Sequence, residues 1–175
     1  MNKENLVGNK NPMFLRFLNK ESNVSDLLMS FSQAGHSYTA AAAKKALQNP
    51  PDLESFRQEL DGAVRDIIKE GPGDEFKAFV NHYMEPSLTE EMGSEKTPLG
   101  QNQRQIAYVK DENAPWIQGL ICYNLCLYIK AFGLMELKSC RVCSKIFANK
   151  GQYAVYCSDA CKKNQKNKNE IKKNI

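Results

Sequence analysis

Cys140-Arg-Val-Cys143, thirteen intervening residues, and then Cys157-Ser-Asp-Ala-Cys161 make up the segment of this 175-residue chain whose residue types and spacing could do chemistry. Thiolates are soft ligands, and a tetrahedral Zn2+ takes four of them at about 2.3 Å. A C-x-x-C turn folds back as a knuckle and brings two sulfurs together. Cysteines four apart share one face of a helix across a single turn. With Cys157 in the first turn of that helix, the positive end of the helix dipole would also favour its thiolate. Cys140, Cys143, Cys157 and Cys161 are therefore expected to hold one structural Zn2+, with an iron–sulfur cluster or a disulfide pair as the competing readings. Four protein ligands leave no position for water or substrate, so the expected role is a brace and not a catalyst. Lys145-Ile-Phe-Ala148 and Tyr153-Ala-Val-Tyr156 read as two short strands around residues 149–152. So small a unit would lean on metal binding, worth on the order of 10–16 kcal/mol.

The surface this brace would present is basic. Residues 137–175 hold 10 Lys+Arg against 2 Asp+Glu, a net of +8, whereas residues 1–136 hold 14 against 18, a net of −4. That asymmetry points the C-terminal end at an anionic partner. The candidate nucleic-acid contacts are Arg141, Lys145 and Lys150 within the finger, then Lys162, Lys163, Asn164, Lys166, Lys168, Lys172 and Lys173 after the last ligand. Lys162 and Lys163 also suit the counter-ions of a doubly negative zinc tetrathiolate centre. On a continuous helix Lys162, Lys166 and Lys173 would share one face. Asn164, Gln165, Asn167 and Asn169 are interleaved and can bond phosphates or base edges. Apart from Ile171 and Ile175 the tail has no apolar residue after Cys161, so it reads as disordered until it meets a partner.

The elements that must carry this module are mostly helical. Met13, Phe14, Phe17 and Leu18 recur at helical spacing, and Ser25 and Asp26 look like the cap of a helix carrying Leu27, Leu28 and Phe31. A helix from Ser37 to Leu47 contains four consecutive alanines and ends at Pro50 and Pro51. Leu53, Phe56, Leu60, Val64, Ile67 and Ile68 form the cleanest apolar stripe, started near Asp52 and stopped by Gly71. Phe76, Phe79, Val80 and Tyr83 repeat the period. Residues 85–103 dissolve into Pro, Gly, Ser, Thr and charge and read as an exposed loop or flap, followed by a short strand at 105–110. Pro115 and Trp116 open a long, almost wholly apolar helix to about Phe132, with Gly133 as its stop. Gln118, Asn124, Lys130 and Glu136 interrupt that stretch, which favours a buried helix over a membrane span. The fold class is thus mainly α: a multi-helix body over 1–136 and a small four-cysteine finger, a short β-hairpin plus helix, over 137–175. The N-terminus, MNKENLVGNKNPM, has neither the apolar run nor the cleavage site of a secretion signal, so a reduced, cytoplasmic protein is expected.

From about Ala114 onward the chain resembles the CGNR-type zinc-finger proteins of bacteria. The matching residues are the long helix, Cys140-x-x-Cys143-x-x-x-Phe147, Tyr156-Cys157-Ser158, Cys161 and the basic segment behind it. The resemblance implies a helical N-terminal domain, a C-terminal treble clef and a DNA-binding transcriptional regulator. The Cys-Gly-Asn-Arg that names the family is Cys161-Lys162-Lys163-Asn164 here. The expected partner is DNA, with homodimerisation through the body. A protein-binding adaptor is the alternative, since fold does not fix function. An enzyme is not expected. His36 and His82 lie outside the finger, Cys122 and Cys126 read as buried hydrophobes, and no Ser/His/Asp or Cys/His arrangement stands out.

Overall fold

The computed structural model describes residues 12–33, 36–97, 100–149 and 154–173, with side chains over 12–33, 36–88, 107–149 and 154–166. The fold is mainly helical, with a four-cysteine cluster at its C-terminal end. The helices are α1 (Met13–Leu18), α2 (Val24–Gln33), α3 (Ala40–Gln48), α4 (Glu54–Glu70), α5 (Asp74–Ser87), α6 (Trp116–Phe132) and α7 (Asp159–Lys173). Two antiparallel pairs interrupt them, β1 (Leu88–Thr97) with β2 (Gly100–Val109) and β3 (Leu137–Ser139) with β4 (Ile146–Ala148).

Helix α6 is the axis of the body. It is apolar almost all round, and a helix of that kind must be covered on every side. Leu120, Ile121, Cys122 and Leu125 are fully buried, and Trp116, Ile117, Tyr123, Leu127 and Tyr128 nearly so. Gly133, at φ 77°, ends it with its N–H on Ile129 O at 2.8 Å, the glycine stop its position predicts. Helix α5 crosses α6 at Gly119, where a Cβ would meet Ser87 Oγ at 2.6 Å and Tyr83 O at 2.8 Å. Glycine is required there for closeness. Helix α1 lays Phe14 edge-on against Tyr128, with ring centroids 5.3 Å apart. Helix α4 buries Phe56, Leu60, Val64 and Ile67, the stripe visible in the sequence, and stops at Gly71, φ 85°. Among the described residues no helix is long and apolar enough to cross a membrane.

The structure corrects four expectations. The cap of α2 is Asn23, in a reciprocal arrangement: its Oδ1 accepts from Asp26 N–H at 2.9 Å, while Asp26 Oδ2 accepts from Asn23 N–H at 3.1 Å. Ser37 does not begin α3, which Thr39 caps through Oγ1 to Ala42 N–H at 3.0 Å. Ser37 instead bridges to β2, its N–H on Ala107 O and its carbonyl on Val109 N–H, both at 3.0 Å. Residues 85–97 and 100–103, the described part of the expected loop, are not a loop. They are the end of α5, all of β1 and the start of β2, paired from Leu88↔Val109 to Thr97↔Gly100. Composition hides this ribbon because its ladder is built from backbone groups and its polar side chains show no apolar alternation. Its base is fastened by buried Leu88 and Ala107 and by Lys110 N–H on Ser87 O at 2.9 Å.

The fourth correction concerns the finger. β4 takes as its partner β3, which precedes the knuckle; residues 154–156 of the expected second strand have no strand assignment, and Tyr153 lies outside the described residues. The reason lies in the body: Leu137 and Ile146, one from each strand, are 2% and 1% exposed and complete its apolar core. The tail beyond Cys161 is helical through Lys173. Ser158 caps it, with Oγ 3.3 Å from Cys161 N and its carbonyl 3.2 Å from Lys162 N. A capped first turn that carries a cluster cysteine supplies the nucleus that an isolated polar peptide lacks.

Candidate metal centre

Two local structures deliver the four sulfurs. Cys140 and Cys143 sit on a tight turn between β3 and β4, closed by Cys140 N–H on Lys145 O and Ser144 N–H on Cys140 O, both at 2.9 Å. Ser144 leaves the turn in the left-handed region, φ 59°. The other pair belongs to the start of α7. Cys157 precedes the Ser158 cap and Cys161 lies in the first turn, so one ligand stands just outside the helix and not within it.

All four Sγ atoms lie within 4.8 Å of one another. Cys143 and Cys157 are 3.5 Å apart, Cys157 and Cys161 3.6 Å, and Cys161 and Cys143 3.7 Å. A disulfide would need about 2.05 Å. Thiolates at about 2.3 Å from a central ion would form a tetrahedron with edges of about 3.8 Å. The cluster therefore has the dimensions of a site that can hold a metal ion, and it joins all four cysteines read from the spacing. Cys140 is buried, Cys143 is exposed, and the α7 pair is half-buried.

The electrostatics favour one thiolate in particular. Burial opposes ionisation of Cys140, but backbone N–H groups of Cys143, Cys157 and Val142 converge on its sulfur and bring its pKa down to about 6. Burial and the neighbouring sulfurs push Cys157 up to about 12. A cation among the four sulfurs would compete with protons for them.

The knuckle is also held from outside. Arg65 of α4 forms a two-pronged pair with Asp61, Nε to Oδ2 at 2.7 Å and Nη2 to Oδ1 at 3.1 Å. It then donates to Ser139 Oγ at 3.0 Å and Ser144 O at 2.8 Å. Asn19 donates through Nδ2 to Ile146 O at 3.0 Å, and Asn149 N–H reaches Glu136 O at 2.9 Å. These docking residues are not evident from the sequence. Asp61 and Arg65 are visible four apart on a helix, but that pattern reads as a solvated surface pair.

The expected nucleic-acid contacts separate into three groups. Lys145 is ion-paired with Glu21 of the body, which raises its pKa and fixes its ammonium at the docking surface. Arg141, Lys162, Lys163, Asn164 and Lys166 are exposed or half-exposed. Arg141 N–H bonds Val155 O at 3.1 Å, tying the knuckle to the segment before α7. Lys150 lies outside the described residues, as do the side chains of Lys168, Lys172 and Lys173, whose backbone continues α7. Helical register places residues 162, 166 and 173 on one side.

The remaining reactive residues lie apart from the cluster. His36 is buried against Phe31 and Tyr123, with Ala107 N–H 3.4 Å from Nδ1 and Asn124 Nδ2 3.1 Å from Nε2. Burial lowers its pKa to about 4 against the opposing hydrogen bond, so it stays neutral. His82 is exposed on α5. Cys122 is buried on α6 with its thiol pushed far up by desolvation, and Cys126 is half-buried. Compared with known proteins, the chain matches no family model, and no curated protein aligns with it significantly.

Proposed function

We propose that this protein is a cytoplasmic DNA-binding transcriptional regulator, whose four-cysteine site holds one structural Zn2+ and whose α7 is the nucleic-acid element. Four thiolates at tetrahedral spacing suit Zn2+, and with all four positions filled by protein the metal organises the module without taking part in a reaction. The observation that carries the reading is α7 itself. It issues from the cluster as a helix bearing Lys162, Lys163, Lys166, Lys168, Lys172 and Lys173, opposite a body of net −4. A capped helix of 15 residues is about 22 Å long and fits the major groove, with lysines for the flanking phosphates. The likeness to the CGNR-type finger belongs to the same proposal, supported by the ligand spacing and by Phe147, which is buried beside the knuckle.

The test is a gel-shift titration of duplex DNA at several salt concentrations. Binding that weakens with a log–log slope of about −0.9 per phosphate contact supports the proposal. Absent or salt-insensitive binding overturns it. The adaptor reading draws on the β1–β2 ribbon, a ten-rung ladder whose acidic residues Glu90, Glu91 and Glu95 suit a protein partner better than nucleic acid. Capture of a partner that survives nuclease treatment, without duplex binding, would favour it.

A further inference from the structure

The two flanks of the C-x-x-C turn are bonded to one side chain of the helical body. Ser139, immediately before Cys140, accepts from Arg65 Nη1 through its hydroxyl, and Ser144, immediately after Cys143, accepts from Nη2 through its carbonyl. The serines are also joined to each other, Ser139 Oγ donating to Ser144 O at 3.3 Å. Asp61 fixes the plane of the guanidinium from behind with both carboxylate oxygens, so the fork points at the knuckle in one orientation. Ser144 holds a left-handed backbone conformation at φ 59°, which a residue with a Cβ keeps only when its surroundings enforce it.

We infer that Arg65, held by Asp61, is a positioning residue of the metal centre: it sets the shape of the Cys140–Cys143 turn from the body, and so couples metal affinity to α4. The inference rests on the four cysteines holding a metal ion, and it is independent of what α7 binds. Ordering a knuckle is part of the cost of loading it. A turn already ordered by Arg65 meets that cost before the ion arrives. Groups that orient ligands without touching the metal typically contribute 10–100-fold to affinity. Coupling is reciprocal, so loading the site tightens the β3–β4 dock against α4 by the same factor. The finger is thus a part of the body's architecture, and the body has a direct handle on the turn that bears two of its ligands.

The experiment uses the full chain and Zn2+ itself, competed against a chromophoric chelator, with Co2+ absorption as a report of thiolate geometry. Arg65→Met should weaken Zn2+ binding about 10–100-fold. Arg65→Lys should recover little of it, because an ammonium cannot span both serines. Lys77→Ala, which breaks the exposed Asp74 pair on α5, should leave binding unchanged. Helix content of the metal-free Arg65→Met protein should equal that of the parent. If it does not, Ser139→Ala decides, since it removes one acceptor without touching α4, and a several-fold loss is expected. Affinity within twofold of the parent in both Arg65→Met and Ser139→Ala overturns the inference. A parent chain that takes up neither Zn2+ nor Co2+ overturns the metal reading beneath it.

Discussion

The helical body fully buries Phe14, Phe17, Phe31, Leu60, Leu120, Ile121 and Leu125 around α6. Of the described hydrophobics from Leu137 onward, Leu137, Cys140, Ile146 and Phe147 are buried, and Leu137 and Ile146 belong to the body's own core. The body is thus held by apolar area, with each large side chain worth about 1.5–3 kcal/mol. The module gathers four sulfurs that can hold a metal ion and otherwise relies on what it borrows: the Arg65 fork, the Glu21–Lys145 pair and the Asn19 amide. Formal charge divides the same way along the chain, net −4 over residues 1–136 and net +8 over residues 137–175. Position in the chain accordingly predicts which perturbation a segment will feel. Core deletion acts on the body, loss of a sulfur acts on the module, and acid acts on the body through its buried histidine as well as on any metal the sulfurs hold.

The sharpest way to break that division is Cys143→Ser. It removes one of four ligands from a site worth on the order of 10–16 kcal/mol when occupied by Zn2+. Metal content should fall to near zero, and amides of residues 138–149 and 154–165 should lose exchange protection while α4 and α6 keep theirs. Because Leu137 and Ile146 complete the core, a modest drop in body stability is expected alongside. Retained metal with an ordered knuckle would refute the four-ligand assignment. The converse perturbation is Leu120→Ala, at a fully buried site on α6, which should cost about 2–5 kcal/mol in urea unfolding. Its effect on Zn2+ affinity should be slight while the body remains folded. A large loss of affinity in a folded variant would show that the two regions are not separable.

Acid probes the body through His36. Its pKa falls from 6.5 to about 4 on folding because burial disfavours the imidazolium, so between those values the unfolded chain binds more protons than the folded one. The contribution to stability is complete above pH 6.5 and is lost as pH falls toward 4, amounting to about 3 kcal/mol for a shift of that size. The measurement is urea unfolding of chelator-treated protein across pH 4–7, since protons also displace metal from thiolates. His36→Gln should flatten the profile. An unchanged slope would mean that another buried group carries it.

Both regions left their mark on the sequence, in different languages. Helices α4 and α6 were legible to within a residue or two because burial imposes the 3.6 period and glycine marks the stops. The clustering of the four cysteines is legible because their spacing follows the knuckle and the helix turn. What escaped depends on backbone pairing or on distance along the chain. The β1–β2 ribbon is polar on residues that pair through their backbones, so its composition reads as a loop. β4 pairs with β3 instead of the following segment because Leu137 and Ile146 are both claimed by the body, a tertiary demand that local propensity cannot express. Arg65 reaches a knuckle 79 positions away, and nothing in an i,i+4 Asp–Arg pair announces that reach.

Lys145 offers the finest cut between the regions, because it belongs to the basic module by sequence and to the body by contact. Its ammonium pairs with Glu21 at a half-exposed site, where such pairs contribute about 0.2–1 kcal/mol. Lys145→Ala should therefore lower stability by no more than that, leave Zn2+ uptake intact and leave the salt slope of DNA binding unchanged. Lys166→Ala, on α7, should cost no stability and reduce the slope by about 0.9. If Lys145→Ala instead removed a phosphate contact's worth of salt dependence, the Glu21 pair would have to open on binding. The docking face and the nucleic-acid face would then be one surface, used alternately.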